Sequence, residues 1–170
     1  MRTALSFLGL AVALSGCGFT PLYAERGVTP GLSSIEVEAP QTRTGYLLRE
    51  ELDDAFARDR GRQPAYRLAL KIEEDRRARG LRVDDVATRY EVLLRVDYRL
   101  LAQGAGALTP LTQGRAEVSV TYDSADQPYA GVAAATDGQE RAATQAAQRI
   151  RLDLARWFAR NQRIVPTAAR

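Results

Sequence analysis

Three runs in the middle of the chain alternate apolar and polar residues with a period of two. Residues 66–73, 90–100 and 115–122 each place aliphatic or tyrosine side chains at every second position, with mostly charged or hydroxyl side chains between them. Successive side chains of a strand point to opposite faces, so these runs predict strands with one buried face and one wet face. The chain therefore has to build a sheet that keeps one side in solvent.

Two other segments follow helical spacing. Residues 42–59 repeat apolar side chains at every fourth position, and residues 137–160 carry a longer apolar stripe with charges beside it. Residues 34–38 alternate and add a short first strand, while residues 74–87 and 103–114 are predicted to be long loops. The order β-α-β-β-β-α predicts an α+β two-layer sandwich, with a four-stranded sheet and two amphipathic helices on one face.

Histidine is absent from the 170 residues, and this excludes most hydrolase mechanisms. There is no Ser-His or Cys-His nucleophile pair, no imidazole base and no histidine-ligated metal. The acidic clusters at 73–75 and 84–85 lack calcium-loop spacing, and no glycine-rich phosphate motif is present. The net charge of +3 is spread along the chain, unlike the basic stripe of a nucleic-acid binder. We therefore expect no enzyme, no metal, no cofactor and no nucleic-acid partner.

The N-terminus has the order of a secretory signal. Arg2 precedes an apolar run, residues 4–14, which is too short to span a bilayer, since that takes about 20 residues. Residues 14–17 (LSGC) resemble the lipobox of bacterial lipoproteins at all four positions. The resemblance implies cleavage before Cys17 and acylation of its thiol and of its new amino group, and several acyl chains anchor a protein stably. The alternative is a buried free cysteine.

These features divide the chain into four expected segments. They are a lipoprotein signal peptide (1–16), a lipidated tether (17–33), a single α+β domain (34–160) and a flexible tail (161–170). Pro21 and Pro30 favour an extended tether. Residue 18 is glycine and not the aspartate that retains many lipoproteins at the inner membrane, so by that resemblance the outer membrane is the expected location.

Four arginines crowd the predicted loop between the first two long strands, namely Arg76, Arg77, Arg79 and Arg82. A guanidinium can bind two phosphate oxygens at once. Leu81 and Val83 flank Arg82 with apolar side chains, so the loop tip would suit an amphiphile that carries phosphates. The alternatives are a solvated loop neutralised by its own aspartates and a codon bias toward arginine.

The stretch CGFTPLY, residues 17–23, resembles the start of mature proteins of the LptE family, the lipopolysaccharide-assembly lipoproteins of Gram-negative outer membranes. The element order, the ATRY at residues 87–90 and the strand end at Tyr122-Asp123 extend the resemblance along the mature chain. The resemblance implies a protein without catalytic activity or cofactor. It also implies a partner, the LptD-type β-barrel whose lumen the family plugs, and contact with lipopolysaccharide.

The same resemblance implies positions for that contact. The family has a basic lipopolysaccharide-contacting residue in the loop before the longest strand, and Arg82 is the nearest match. A second basic position, before the last helix, has no counterpart in residues 130–135 (AGVAAA).

From the lipobox and the family resemblance together, we expect a lipid-anchored protein on the periplasmic side of the outer membrane that plugs and helps assemble the barrel and assists lipopolysaccharide insertion. The alternative is a free-standing periplasmic lipoprotein that binds an amphipathic ligand or peptidoglycan.

Overall fold

The computed structural model describes residues 27–81, 87–104, 109–123 and 128–161. In chain order the elements are α1 (Val28–Ser33), β1 (Ile35–Glu38), α2 (Arg43–Ala55), β2 (Tyr66–Leu81), β3 (Ala87–Ala102), β4 (Thr112–Asp123) and α3 (Pro128–Arg160). The four strands form one sheet in the order β1-β2-β3-β4. β1 runs parallel to β2, and the two other pairings are antiparallel.

The core lies between the sheet and the helices, and this confirms the predicted two-layer sandwich. The period-two apolar positions of the strands all point into it, and the largest fully buried side chains are Phe56, Phe158, Ile35, Leu48, Leu52, Leu68, Leu94, Leu100, Ile150, Leu154, Val28 and Val37. The alternate positions form the other face of the sheet, called here the open face, which no described element covers. The alternation seen in the sequence is therefore the division between core and open face.

The loop predicted over residues 74–87 is wrong. β2 continues to Leu81 and β3 begins at Ala87, with Glu74 opposite Leu94 and Arg79 opposite Arg89. The side chains of residues 76–79 are exposed on both faces, so this part of the hairpin has no apolar period to detect. Backbone pairing alone extends the two strands beyond the core.

The last helix begins nine residues before its predicted start at residue 137. It starts at Pro128 and includes the alanine-rich residues 130–135, which are strong helix formers. Proline is well tolerated at the first helical position because its missing N–H has no partner there. Asp137, at the predicted start, lies inside the helix and pairs with Arg141 one turn later, at 2.8 Å.

A short helix, α1, occupies residues that the sequence placed in the tether. Val28 and Leu32 are buried in the core, and Gly31 lies against the ring of Phe158 in α3. The folded unit therefore extends to the N-terminal side of residue 34. None of the described helices is long and apolar enough to cross a membrane.

Candidate functional site

The arginine cluster predicted from the sequence lies on a strand and not in a loop. Arg76, Arg77 and Arg79 are in β2, close to its C-terminal end, while Arg82 and the predicted lipidation residue Cys17 lie outside the described residues. Because side chains alternate along a strand, Arg77 and Arg79 point to the open face and Arg76 points to the helix side. The three guanidiniums therefore do not converge on one site.

Carboxylates already neutralise the two arginines of the cluster that lie on the open face. The Nε of Arg77 lies 2.7 Å from Asp75 Oδ2 in the same strand. Arg79 donates through Nε, at 2.8 Å, and Nη2 to Oε2 of Glu91 in β3. Among the described residues, Arg76 has no carboxylate oxygen within 4.0 Å. Of the three described arginines of the cluster, Arg76 thus has the most freedom to bind an added anion.

The whole open face carries alternating charges that cancel. Among the side chains that the structure describes there, eight are basic and eight are acidic: Arg67, Lys71, Arg77, Arg79, Arg89, Arg95, Arg99 and Arg115 against Glu36, Glu38, Glu73, Asp75, Glu91, Asp97, Glu117 and Asp123. Most pair with a neighbour on the same or the next strand. A neutral, self-paired surface attracts no polyanion from a distance, so the open face is not a phosphate-binding patch.

Hydrogen bonds keep the carboxylates of this face ionised. Arg115 donates from Nε to Asp97 at 2.6 Å, and Arg89 donates to Asp123 at 2.7 Å; each contact lowers the pKa of the carboxyl group. The hydroxyl of Ser119 lowers the pKa of Glu91 in the same way. The open face therefore keeps both signs of charge near neutral pH.

A different surface forms where β2 and β3 extend furthest from α1, called here the distal end. The guanidinium of Arg76 lies 5.3 Å from the ring centroid of Tyr90, a cation–π contact. Tyr90 stacks on Tyr122 with centroids 5.6 Å apart, and Tyr122 packs under Gly138 of α3. The distal end thus presents a guanidinium in contact with the face of a stacked tyrosine ring.

The first turns of α3 add exposed apolar side chains to the distal end. Tyr129 is 91% exposed and Val132 is 68% exposed, and residues 128–135 carry no charge. Gly138 lies over Tyr122, and Tyr129 is nine residues before it, about 13 Å along the helix axis. Tyr129 precedes the helix start predicted at residue 137, and the earlier start of α3 places it in the first turn.

The outer edge of β4 is occupied by two arginines that sequence analysis noted only as lying off the apolar stripe. Arg149 of α3 donates from Nη1 to the carbonyl oxygen of Glu117, and Arg141 donates from Nη2 to that of Thr121 at 3.4 Å. Eight residues of helix span about 12 Å and four residues of strand about 13 Å, so the two spacings match. The two spacings would indicate the contact only once α3 is known to run beside β4.

The largest pKa shift belongs to a core tyrosine. The hydroxyl of Tyr98 donates to Asp153 Oδ2 at 3.3 Å, and burial, followed by the charge of Asp153, raises the pKa of Tyr98 to about 12. A hydroxyl with that pKa holds its proton and ties α3 to β3. Among the described residues, no three His, Cys, Asp or Glu side chains are grouped to hold a metal ion.

Comparison with known proteins gives a sequence match and several structural matches. The model of the lipopolysaccharide-assembly family LptE matches residues 32–154. A structure described as a lipoprotein from Caulobacter crescentus CB15 is 57% identical, with a TM-score of 0.68 over 78% of this chain and 96% of that one. A search of curated protein sequences gives no match.

Two more distant structures share the fold. One is the rare lipoprotein B of Shewanella oneidensis, at 15% identity, with a TM-score of 0.52 over 75% of this chain and 96% of that one. The other is a lipoprotein B of Nitrosomonas europaea, at 17% identity and a TM-score of 0.50, covering 74% and 83%. At these identities the likeness concerns the arrangement of the strands and helices alone.

Proposed function

Because this chain belongs to the LptE family of lipopolysaccharide-assembly proteins, we propose that it plugs and helps assemble an LptD-type β-barrel at the outer membrane. Its role lies in lipopolysaccharide assembly, as an envelope lipoprotein. The proposal also includes the anchor at Cys17, the outer membrane as location and the absence of catalysis. Gly18, directly after the lipobox, supports the outer membrane.

The open face is the observation that carries the proposal. A plug has to present polar groups to the polar interior of a barrel, and the open face supplies an extended charged surface for this contact. Its ion pairs lie within the face itself, so docking leaves few charges without a partner. The neutral balance also suits a wall that carries both signs of charge. We propose that the open face lies against the barrel wall.

A pull-down from outer membranes tests the partner. The acylated chain with a C-terminal tag is solubilised in mild detergent and recovered, and its partners are identified by mass spectrometry. We expect one large outer-membrane β-barrel in a one-to-one ratio. A matched variant, Asp97→Arg, puts a positive charge beside Arg115 in the centre of the open face. It should reduce the yield of barrel at least about tenfold, since like charges in close contact cost several kcal/mol and about 1.4 kcal/mol is already a factor of ten.

Recovery of the acylated chain without a barrel would contradict the plug and favour a free-standing lipoprotein. The exposed substitution Gln145→Arg on α3 adds charge away from the open face and serves as the control. Equal loss of barrel in both variants would argue that the open face is not the contact.

For lipopolysaccharide contact we propose the distal end. Arg76 is a cation without a carboxylate partner among the described residues, and Tyr129 and Val132 supply exposed apolar surface on the same end of the molecule. Phosphates and acyl chains of one amphiphile need this combination of groups. Of the predicted cluster, Arg77 and Arg79 are held by carboxylates, and Arg82 remains a proposed contact on the strength of the family resemblance.

Substitution of Arg76 tests lipopolysaccharide contact at the distal end. Arg76→Glu should weaken lipopolysaccharide binding by the purified acylated protein by about tenfold, the loss of one charge-assisted hydrogen bond. Arg99→Glu changes the same charge on the open face and should leave binding within about twofold. Binding is measured by fluorescence with labelled lipopolysaccharide. Equal effects of the two variants would mean that net charge, and not the distal end, determines binding.

A further inference from the structure

Arg99 differs from the other charged side chains of the open face, because it has no ion pair within the described part of the chain. Each of the eight acids described on that face lies within 4.0 Å of a basic group, and seven of the eight bases supply these contacts. The remaining acid, Glu36, pairs at 3.4 Å with Arg58, which follows α2 and is not on a strand. Arg99 is therefore the base that is left over.

The register of the sheet explains why Arg99 is unpaired. It lies opposite Ala69 of β2 and Gln113 of β4, so neither neighbouring strand has a charge at this position. Asp97, the nearest acid along β3, accepts from Arg115 with both oxygens, at 2.6 and 3.1 Å. Among residues 91–101 of β3, Arg99 alone is exposed. Its guanidinium is therefore available to a group from another molecule.

The surroundings of Arg99 favour a single negative charge. An open depression of about 690 Å³ lies across β2, β3 and β4 at this point. The short side chain of Ala69 leaves space beside the guanidinium. The charged residues that line the depression are three bases and one acid, namely Lys71, Arg99, Arg115 and Asp97. The face as a whole is balanced, but here it lacks one counter-charge.

A barrel wall against the open face would remove the water from this depression. The ion pairs within the face keep their partners on docking, but a guanidinium that is buried without a counter-charge strongly destabilises a complex. Resting on the proposed plug function, we propose that one carboxylate of the barrel wall pairs with Arg99. Two parallel hydrogen bonds from a guanidinium to a carboxylate fix direction as well as position, so this pair sets where the chain sits on the wall.

Three substitutions at residue 99 test the pair in the outer-membrane pull-down with the full acylated chain. Arg99→Glu sets a like charge against the wall carboxylate, and Arg99→Gln leaves that carboxylate buried without a partner. Each should lower the yield of barrel at least about tenfold. Arg99→Lys keeps the charge and should stay within about threefold of wild type. Since residue 99 is exposed, all three proteins should unfold at the same urea concentration as wild type.

Arg160→Gln is the matched control. Arg160 ends α3, is exposed and has no carboxylate oxygen within 4.0 Å among the described residues, but it lies in the helix layer and not on the open face. Its loss should leave the yield of barrel within about twofold of wild type. A loss as large as that of Arg99→Gln would mean that any missing arginine weakens recovery, and this would overturn the proposal.

Arg99→Lys also identifies the partner group. A water-soluble carbodiimide joins a lysine amine to a carboxylate as an amide, and the reagent takes up the water that is lost and becomes a urea. Lys71 is the one lysine of the natural sequence, so wild type measures the background. In the purified complex we expect mass spectrometry to find residue 99 joined to one Asp or Glu of the barrel. Replacement of that acid by Arg should restore the yield of barrel with Arg99→Glu.

The outcomes separate this inference from the proposed function. A wild-type chain that recovers no barrel would contradict both. If wild type recovers the barrel and Arg99→Glu and Arg99→Gln recover as much, the inference alone is wrong. It is also wrong if the Arg99→Lys complex gives no link to a barrel carboxylate, a result that would indicate another counter-ion such as a phosphate.

Discussion

Gly45→Ala is expected to destabilise the domain by about 3 kcal/mol, although alanine normally stabilises a helix. In the third position of α2, a Cβ on residue 45 would lie far inside contact with the carbonyl oxygen of Pro40. It would also lie 3.1 Å from Oγ1 of Thr42, which caps the helix by accepting from the N–H of Gly45. Helix propensity favours alanine over glycine by about 1 kcal/mol, which is smaller than the cost of moving a backbone carbonyl.

Gly45→Ala is informative because the close contact predicts a loss of stability, whereas helix propensity alone predicts a gain. Urea unfolding of the tagged chain gives the free energy of unfolding for wild type and variant. Gly61→Ala is the matched control, because its Cβ would meet only the exposed carboxylate of Asp59, at 3.3 Å, and its change should stay within about 0.5 kcal/mol. A Gly45→Ala protein more stable than wild type would mean that the segment between β1 and α2 yields easily.

The period-two alternation was sufficient to predict the sheet, its buried face and its open face. It failed where burial ends. In residues 74–79 both faces of β2 carry polar or exposed side chains, so hydrophobic periodicity stops while backbone pairing continues. The ends of strands that extend past a core are therefore not visible in the apolar pattern.

The same limit explains the arginine cluster. Four arginines within seven residues suggested one convergent loop, but on a strand neighbouring residues point to opposite faces. Arg76 therefore rests on Tyr90, while Arg77 and Arg79 form ion pairs on the open face. Once β2 is known to be a strand here, its even-numbered residues are expected on the helix side and its odd-numbered residues on the open face.

Tertiary contacts decided the helix boundaries that the sequence did not reveal. Residues 27–33 contain two glycines and a proline and read as a tether, yet Val28 and Leu32 are buried against α3. The contacts of Arg141 and Arg149 with β4 likewise require that α3 runs alongside that strand. Neither pairing could be read from local patterns, because both depend on residues that lie 20 or more positions apart.

Phe158→Ala is expected to cost about 4 kcal/mol, the largest effect in α3. The ring is fully buried, makes an edge contact with Tyr66 at a centroid distance of 5.4 Å and lies against Gly31 of α1. Its loss leaves a cavity where α1, β2 and α3 meet. Leu152, 40% exposed on the same helix, is the control, and Leu152→Ala should cost less than about 1 kcal/mol.

A double-mutant cycle shows whether this ring is what fixes α1 to the domain. A Cβ on residue 31 would lie 2.7 Å from Cδ1 of Phe158, so Gly31→Ala should destabilise by about 2 kcal/mol. Phe158→Leu makes room for that methyl group, and the double variant should recover at least about 1 kcal/mol of the summed losses. Hydrogen exchange of the amides in residues 28–33 gives a second readout, since loss of the contact should speed exchange in α1 before the sheet unfolds. Additive losses with unchanged exchange would mean that Phe158 stabilises the core without holding α1. If instead the two changes couple, the ring fixes α1, the described element nearest in sequence to the proposed anchor at Cys17.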